Sequence, residues 1–340
     1  MRSTWLFFLL TMALFGLLLL SLSIGSVWIP AQELLQRALG QPFTRESHEL
    51  IFFAYRLPKA LTAILAGIAL SLSGLQMQTY FKNPLAGPYV LGISSGAGLG
   101  VAVLLLSGSA LQLPITAAAW GSYGITLAAS LGAALVLLAI SFTAWRVRDS
   151  MTLLIVGLMV GSLTGSIVSL LAYFSDAEQL KRYTVWSMGS LGSLPMADVL
   201  LFALVCVLGI LPLVFQFKAF DAMLLGEAYA KSMGISTRRL RRSMLLSTGL
   251  LAGAATAFCG PIAFIGIAVP HIARLLFQTA QHRILFPGTA LVGACLLLLC
   301  DSISQVPGSA TTLPLNAITS LFGAPIVIAL ILKRNFSKSL

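Results

Sequence analysis

The chain has 340 residues, a mean hydropathy of +0.96 and only 9% charged residues. A water-soluble domain of this length cannot bury so much apolar surface, so the composition excludes a soluble protein and predicts one that spans a membrane. The net charge of +11 therefore indicates membrane topology and not a nucleic-acid surface.

The apolar runs come in segments long enough to cross a bilayer, which takes about 20 residues in a helix. Ten candidates follow one another, at 5–28, 57–80, 90–107, 117–144, 151–174, 195–217, 244–259, 261–273, 285–303 and 313–332. The first resembles a signal peptide, but its apolar run exceeds the usual core of about 7–15 residues, which favours a retained helix. We predict an all-α, polytopic membrane protein whose 340 residues form one transmembrane domain.

The basic residues orient these spans, because Lys and Arg concentrate in cytoplasmic segments. With the N-terminus inside, the inner segments hold 15 of the 21 basic residues. The outer segments hold the other six, which are Arg37, Arg45, Arg56, Lys59, Lys181 and Arg182. An even number of spans then places both termini on the cytoplasmic side.

Strong helix breakers separate the second and third spans, in the stretch FKNPLAGPYVLGISSGAG at 81–98. Irregular backbone at membrane depth is tolerated only where it is buried in protein or lines a cavity. Two interpretations of Asn83, Pro84 and Leu85 stay open. One is an ordinary cytoplasmic turn, and the other is a constriction at the inner mouth of a transport pathway.

An internal repeat is indicated by LAGIALSLSG at 65–74 and LAGAATAFCG at 251–260, which match at five positions with a constant offset of 186. Pro84 and Pro270 match at the same offset. The two copies begin on opposite sides of the membrane in the predicted topology. This pattern predicts an inverted repeat that relates the second to fifth spans with the seventh to tenth spans. Matches between common residues can also arise by chance.

Glycines recur at every fourth position in two spans, as Gly92, Gly96, Gly100 and as Gly157, Gly161, Gly165. Each set forms a flat strip on one helical face, which favours close packing against a neighbouring helix. For the second set, the alternative is that the fifth predicted span forms a wall of the transport pathway. Its predicted lining is Gly157, Gly161, Ser162, Gly165, Ser166 and Ser169.

The segment FDAMLLGEAYAKSMGISTRRLRR at 220–242 differs from the apolar runs around it. It predicts a short helix from about Met223 to Met233, with Glu227 and Lys231 as an i,i+4 pair and Gly234 as the stop. Its exposed apolar residues fit either a helix that lies on the membrane surface or one that docks onto a cytoplasmic protein.

Reactive chemistry is absent from the sequence. There is no P-loop, no H-E-x-x-H motif and no Cys/His cluster, and the four cysteines all lie in apolar runs. We therefore expect no enzyme, no metal site and no bound cofactor. Acids within the spans are nearly missing, which argues against an ion-coupled carrier and for an external energy source.

Several long motifs together carry a family resemblance: Arg56-Leu57-Pro58, then SGLQMQTYFKNPLAGPYVLGISSGAG, YTVWSMGSLGS, LLGEAYAKSMGI, GPIAFIGIAVPHIARLL and TLPLNAITSLFGAPIVIALIL. The chain resembles the permeases of iron-siderophore, haem and vitamin B12 ABC importers, known as type II importers. The resemblance covers nearly the whole chain. It implies ten helices per subunit and import of a siderophore, haem or cobalamin across the bacterial inner membrane.

The resemblance also implies partners. These are a second permease copy or a similar permease, two cytoplasmic ATPase subunits that use the ATP, and a periplasmic binding protein. The segment 220–242 matches the coupling region that contacts the ATPase, with Leu225, Gly226, Glu227, Ala228, Lys231 and Gly234 at its centre.

Two further sets of residues match functional positions of the family. Asn83, Pro84 and Leu85, together with Ser150, Met151 and Thr152, match a cytoplasmic gate. Arg56 and Lys59 match outer basic residues that pair with acids of the binding protein. Some relatives carry an arginine at the position of Gln305, so this chain departs from them there. A secondary carrier that acts alone is the alternative function.

Overall fold

The computed structural model describes residues 2–110, 121–147, 150–192, 194–305 and 312–336. These residues form α-helices, without a β-strand in any of the described ranges. The long helices are α1 (Arg2–Ser23), α4 (Leu57–Phe81), α5 (Ile93–Ala110), α6 (Gly121–Arg146), α7 (Ser150–Tyr173), α9 (Met196–Val214), α12 (Thr237–Cys259), α13 (Ile265–Phe277), α14 (His282–Ser304) and α15 (Leu315–Phe336).

Each of the ten predicted spans corresponds to one of these long helices. Among the described residues, six helical segments are long and apolar enough to cross a membrane, and three shorter apolar helices lie in α5, α13 and α15. Helix α12 begins with an arginine-rich turn. The fourth predicted span, 117–144, begins in residues outside the described part. The all-α, polytopic fold is confirmed.

Five shorter helices lie outside the ten predicted spans in the described part of the chain, and the sequence anticipated a helix only where α10 meets α11. They are α2 (Ala31–Ala38), α3 (Glu46–Ile51), α8 (Ala177–Ser187), α10 (Phe217–Leu225) and α11 (Glu227–Ser232). A π-helical turn at Phe52–Arg56 leads into α4, and a 3₁₀ helix at Pro88–Leu91 leads into α5.

The described residues group into two compact units. The first comprises residues 1–71, 190–203 and 262–340. Within it α14 packs against α1, α13 and α15. The backbones of α4 and α14 also approach closely there, because a Cβ on Gly67 would meet the Gly293 carbonyl group. Glycine at both positions thus allows the two helices to approach closely.

A buried hydrogen bond joins α2 and α3 in this unit. His48 Nδ1 lies 2.7 Å from Glu33 Oε2, and both side chains are buried. Burial alone would raise the pKa of Glu33, but the hydrogen bonds from His48 and from the Thr44 backbone hold it below the ordinary value. The pair therefore fixes α2 against α3.

The second unit comprises residues 72–189 and 204–261. Helix α5 lies at its centre and packs against α6, α7, α8 and α12. Glycine makes the α5–α6 contact close: a Cβ on Gly96 would lie 2.6 Å from the Gly132 carbonyl oxygen, and a Cβ on Gly100 would overlap that of Ala128. Close packing of the first glycine strip is confirmed for Gly96 and Gly100.

Gly92 does not belong to that helical strip. It ends the 3₁₀ helix with φ of 72°, a left-handed conformation that glycine adopts without strain. Similarly, the match of Pro84 with Pro270 does not join equivalent positions, because Pro84 lies in a loop after α4 and Pro270 lies inside α13. The order of the helices is as predicted, while this part of the repeat alignment is wrong.

Candidate functional site

The segment 217–242 includes the predicted coupling segment 220–242 and contains α10, α11 and the first turns of α12. A sharp break separates α10 from α11, where the sequence predicted one short helix. Gly226 has φ of 131° and ψ of 154°, which lies in a region essentially restricted to glycine. Helix α10 ends before it and α11 begins directly after it. The prediction of a continuous helix from Met223 to Met233 is therefore wrong, because this backbone conformation cannot continue a helix.

The predicted stop at Gly234 is confirmed and has a specific geometry. Gly234 adopts φ of 77°, and its N–H donates to the Lys231 carbonyl oxygen at 2.9 Å. The next N–H, of Ile235, donates to the Ala230 carbonyl oxygen at 3.0 Å. These two bonds form a Schellman motif, which satisfies the last carbonyl groups of α11 and turns the chain into α12.

Glu227 connects α11 with α12. Its Oε1 lies 3.1 Å from Lys231 Nζ and accepts a hydrogen bond from Thr237 Oγ1 at 3.1 Å, while its Oε2 lies 3.8 Å from Arg241. Burial would raise the pKa of Glu227, but these bonds and charges hold it below the ordinary value. Thr237 and Arg241 were missed, because their role depends on the turn between the helices.

Arg241 extends this connection to the ends of two other helices. Its Nη1 donates to the Val147 carbonyl oxygen at 3.1 Å, directly after α6. Its guanidinium lies 5.6 Å from the centre of the Tyr80 ring, near the end of α4. Glu227 and Arg241 thus connect α11 by direct contacts with the ends of α4 and α6.

The loop after α4 lies beside the same segment. A Cβ on Gly226 would lie 3.8 Å from Lys82 Nζ. Lys82 itself has φ of 49°, an unusual conformation for a residue with a side chain. The segment 217–242 and the loop that begins at Lys82 therefore meet within this unit, which brings two of the sequence-predicted sets together.

Asn83, Pro84 and Leu85 form a hydrogen-bonded turn. The Asn83 carbonyl oxygen accepts from the Ala86 N–H at 3.1 Å, and its side-chain Oδ1 accepts from the Leu85 N–H at 3.0 Å. This is the turn that the sequence left open as one alternative. A gating role for these residues stays a prediction.

Helix α7 carries the other predicted gate residues and the predicted pathway wall. Ser150 begins the helix, with its side chain outside the described part, and Met151 and Thr152 are exposed. Gly157 packs tightly, since a Cβ there would overlap the Val90 carbonyl oxygen. Gly157 is therefore a packing position of this helix.

The remaining predicted pathway residues lie further along α7. Gly161 would place a Cβ 3.5 Å from Ser95, an ordinary contact, whereas nothing lies within 4 Å at Gly165. Ser162, Ser166 and Ser169 are exposed on this helix. The open, small and mildly polar stretch suits a pathway wall, and that role stays a prediction.

Arg56 and Lys59 lie in a buried polar cluster of the first unit, with Asp301 and Gln305 from the end of α14. Lys59 Nζ lies 3.1 Å from Asp301 Oδ1, and Gln305 Nε2 donates to Asp301 Oδ2 at 3.1 Å. Arg56 donates to Gln305 Oε1 at 2.7 Å and is only 6% exposed. Within this chain, both cations are thus directed to internal partners.

This arrangement changes the interpretation of both residues. A cation that docks onto a partner's acid should be exposed, while Asp301 is 2% exposed and already faces Lys59. The docking role of Arg56 and Lys59 stays a prediction. The departure at Gln305 now has a physical meaning: the amide bridges Arg56 and Asp301, whereas an arginine there could not accept the bond from Arg56.

Comparison with known proteins gives consistent matches over nearly the full length. The FecCD transport family matches residues 12–333. The hemin transport system permease protein HmuU of Yersinia pestis is 36% identical over 328 residues, which cover 95% of each chain. The vitamin B12 import system permease protein BtuC of Escherichia coli K12 is 36% identical over 317 residues, or 93% of this chain and 91% of BtuC.

Two solved structures are also similar to this chain. A metal-chelate type ABC transporter in an inward-facing conformation superposes with a TM-score of 0.83 and 29% identity, over 96% of this chain and 98% of that one. PsaBC from Streptococcus pneumoniae, at 15% identity and a TM-score of 0.51, shares the fold alone. The resemblance found in the sequence is confirmed, and the chain belongs to the FecCD transport family.

Proposed function

We propose that this chain is the permease subunit of an ABC importer that moves a bulky metal chelate from the periplasm to the cytoplasm. The observation that carries the proposal is the match of the whole chain to the FecCD family, together with permease relatives at 36% identity. In this proposal the chain lies in the bacterial inner membrane with both termini in the cytoplasm, as the distribution of basic residues supports.

The energy comes from two separate ATPase subunits, and the segment 217–242 is their contact. Three features support this role. Leu225, Tyr229 and Met233 expose apolar side chains, Gly226 and Gly234 fix the shape of the turn, and Glu227 and Arg241 connect it to the ends of α4 and α6. The chain contributes positions and movement, and performs no bond chemistry and binds no cofactor of its own.

A second permease copy completes the pathway in this proposal, and a periplasmic binding protein delivers the chelate. The substrate class follows from relatives that transport two different ligands, hemin and vitamin B12, with equal identity to this chain. Both are metal-containing macrocycles. Our first candidate for the substrate is a ferric siderophore or haem, and the second candidate is cobalamin.

Uptake in a strain deleted for this chain, with and without the chain supplied again from a plasmid, tests the proposal. Radiolabelled ferric siderophore, haem and cobalamin are supplied separately, with and without an uncoupler. We expect uptake of one chelate that persists in the uncoupler and disappears when the ATPase partner is inactivated. Uptake that an uncoupler abolishes would favour the ion-coupled carrier instead.

A matched pair of variants tests the role of segment 217–242 in the same assay. Glu227→Gln removes the pairs with Lys231 and Arg241, and Glu178→Gln removes an exposed i,i+4 pair with Arg182 on α8. Exposed pairs contribute at most about 1 kcal/mol, so both variants should fold. We expect ATP hydrolysis without uptake in Glu227→Gln alone, and equal uptake in both variants would contradict the coupling role.

A further inference from the structure

A cavity of about 890 Å³ lies in the second unit, between the end of α6, helix α11 and the first turns of α12. Its charged lining is unbalanced. Glu227 is the one acid among the described residues that line it, and the cations are Arg146, Lys231, Arg238, Arg241 and Arg242. The transport function proposed above does not account for this excess of positive charge.

The excess is not neutralised within the described lining. Glu227 is already engaged by Lys231, Thr237 and Arg241. The first turn of α12 contains no acid, and its N-cap residue Ser236 makes no side-chain capping bond. The N-terminus of a helix carries a partial positive charge, so arginines there add to the field instead of cancelling it. Such a site favours an anion, and arginine matches phosphate in geometry.

The other wall of the cavity is apolar and faces outward. Leu138, Phe142 and Trp145 follow one another along one stripe of α6 and are 66%, 55% and 60% exposed. Leu246 of α12 adds a fourth exposed apolar side chain. Because α6 is long and apolar enough to span the membrane, an exposed apolar stripe on this helix is suited to contact lipid. The cavity borders that stripe and could therefore be reached by acyl chains.

Two arginines mark the boundary between the charged and the apolar walls. The Arg146 guanidinium lies 4.9 Å from the centre of the Phe142 ring, and that of Arg242 lies 5.8 Å from the Trp145 ring. Aromatic residues at the end of a span are typical of the level of the lipid head groups. A free phosphate would use the cations alone, whereas an amphiphile uses both walls.

We propose that this cavity binds an anionic phospholipid, with its phosphate on Arg238 and Arg242 and its acyl chains along Leu138, Phe142 and Leu246. The proposal goes beyond the transport function. It depends on the proposed topology only for the choice of membrane leaflet, because that topology places the site on the cytoplasmic side. Basic cavities between helices at that level are suited to anionic head groups.

Quenching of Trp145 by brominated lipids tests the proposal. The purified full chain is placed in nanodiscs of phosphatidylcholine that contain the same fraction of either brominated phosphatidylglycerol or brominated phosphatidylcholine. The Trp145 signal is the difference between the chain and its Trp145→Phe variant, which keeps an aromatic ring. We expect brominated phosphatidylglycerol to quench Trp145 more strongly at every fraction.

Arginine variants then locate the head group. Arg238→Gln and Arg242→Gln should each weaken the preference for phosphatidylglycerol roughly fivefold, while Arg242→Lys keeps most of it. The matched control is Arg239→Gln, an exposed residue on the same helix that does not line the cavity. It should change the preference less than twofold.

Several results would overturn the proposal. Equal quenching by the two brominated lipids in the unmodified chain would do so without any variant. An equal effect of Arg239→Gln and Arg242→Gln would show a general surface potential. Displacement by inorganic phosphate at constant ionic strength would show a site for a soluble anion. Loss of quenching when the ATPase subunit is added would assign the cavity to a protein interface.

Discussion

The ion pair between Lys59 and Asp301 gives a prediction whose size follows from its burial. Asp301 is 2% exposed, Lys59 retains 17% exposure, and their charged atoms are 3.1 Å apart. Removal of one member of such a pair leaves a buried charge without its partner, which costs about 3–5 kcal/mol, while replacement of both by apolar residues is close to neutral.

The perturbation is therefore a double-mutant cycle of Asp301→Leu and Lys59→Met. We expect Asp301→Leu to destabilise the chain most, by about 3 kcal/mol, because it leaves two cations, Arg56 and Lys59, without an acid. Lys59→Met should cost less, since Asp301 keeps the hydrogen bond from Gln305. The double variant should recover most of the loss.

Thermal unfolding of the full chain in one fixed detergent measures all four proteins. The control is Lys181→Met, an exposed lysine on α8, which should stay within about 0.5 kcal/mol of the unmodified chain. Additive losses in the double variant would refute the pairing. Unchanged stability of Lys59→Met with lost affinity for the binding protein would show that Lys59 is a free docking charge.

Three further predictions follow from backbone geometry and burial. Gly226→Ala should cost about 1–3 kcal/mol by unfolding, because φ of 131° is strained for alanine, while Gly234→Asn should be tolerated at φ of 77°. Gly157→Ala should lower the melting temperature, because its Cβ would overlap a carbonyl oxygen, and Gly165→Ala, in open space, should not. The pKa of Glu33 is lowered in the fold, so its stabilising contribution is present above the ordinary pKa of about 4.3 and is lost as pH falls through the lower, folded value. Melting curves of the chain and of Glu33→Gln should therefore converge as pH falls below about 4.3, and a constant difference would contradict this.

Local patterns in the sequence were enough to predict the membrane-spanning helices. Each apolar run became one long helix, since a run of that length in lipid must satisfy its backbone within a helix. The stop at Gly234 was also predictable, because a glycine after an apolar periodic stretch is typical of a helix end. Both features depend only on residues close in the chain.

Features that depend on distant residues were not predictable. Gly226 follows two leucines and precedes Glu-Ala, which reads as a helix, and the break is visible only in its φ and ψ. Arg56 reads as an exposed cation, yet its partner Gln305 is 249 positions away. The packing of Gly157 against Val90 and the openness at Gly165 likewise depend on neighbours outside the helix.

Reconstitution into sealed proteoliposomes tests the central proposal, that this permease depends on a separate ATPase for its energy. The chain is inserted alone or together with its ATPase subunits, and labelled chelate is supplied with its binding protein on the outside. We predict that chelate accumulates against its gradient only when the ATPase and ATP are both present inside. Accumulation by the chain alone, driven by an ion gradient, would contradict the proposal.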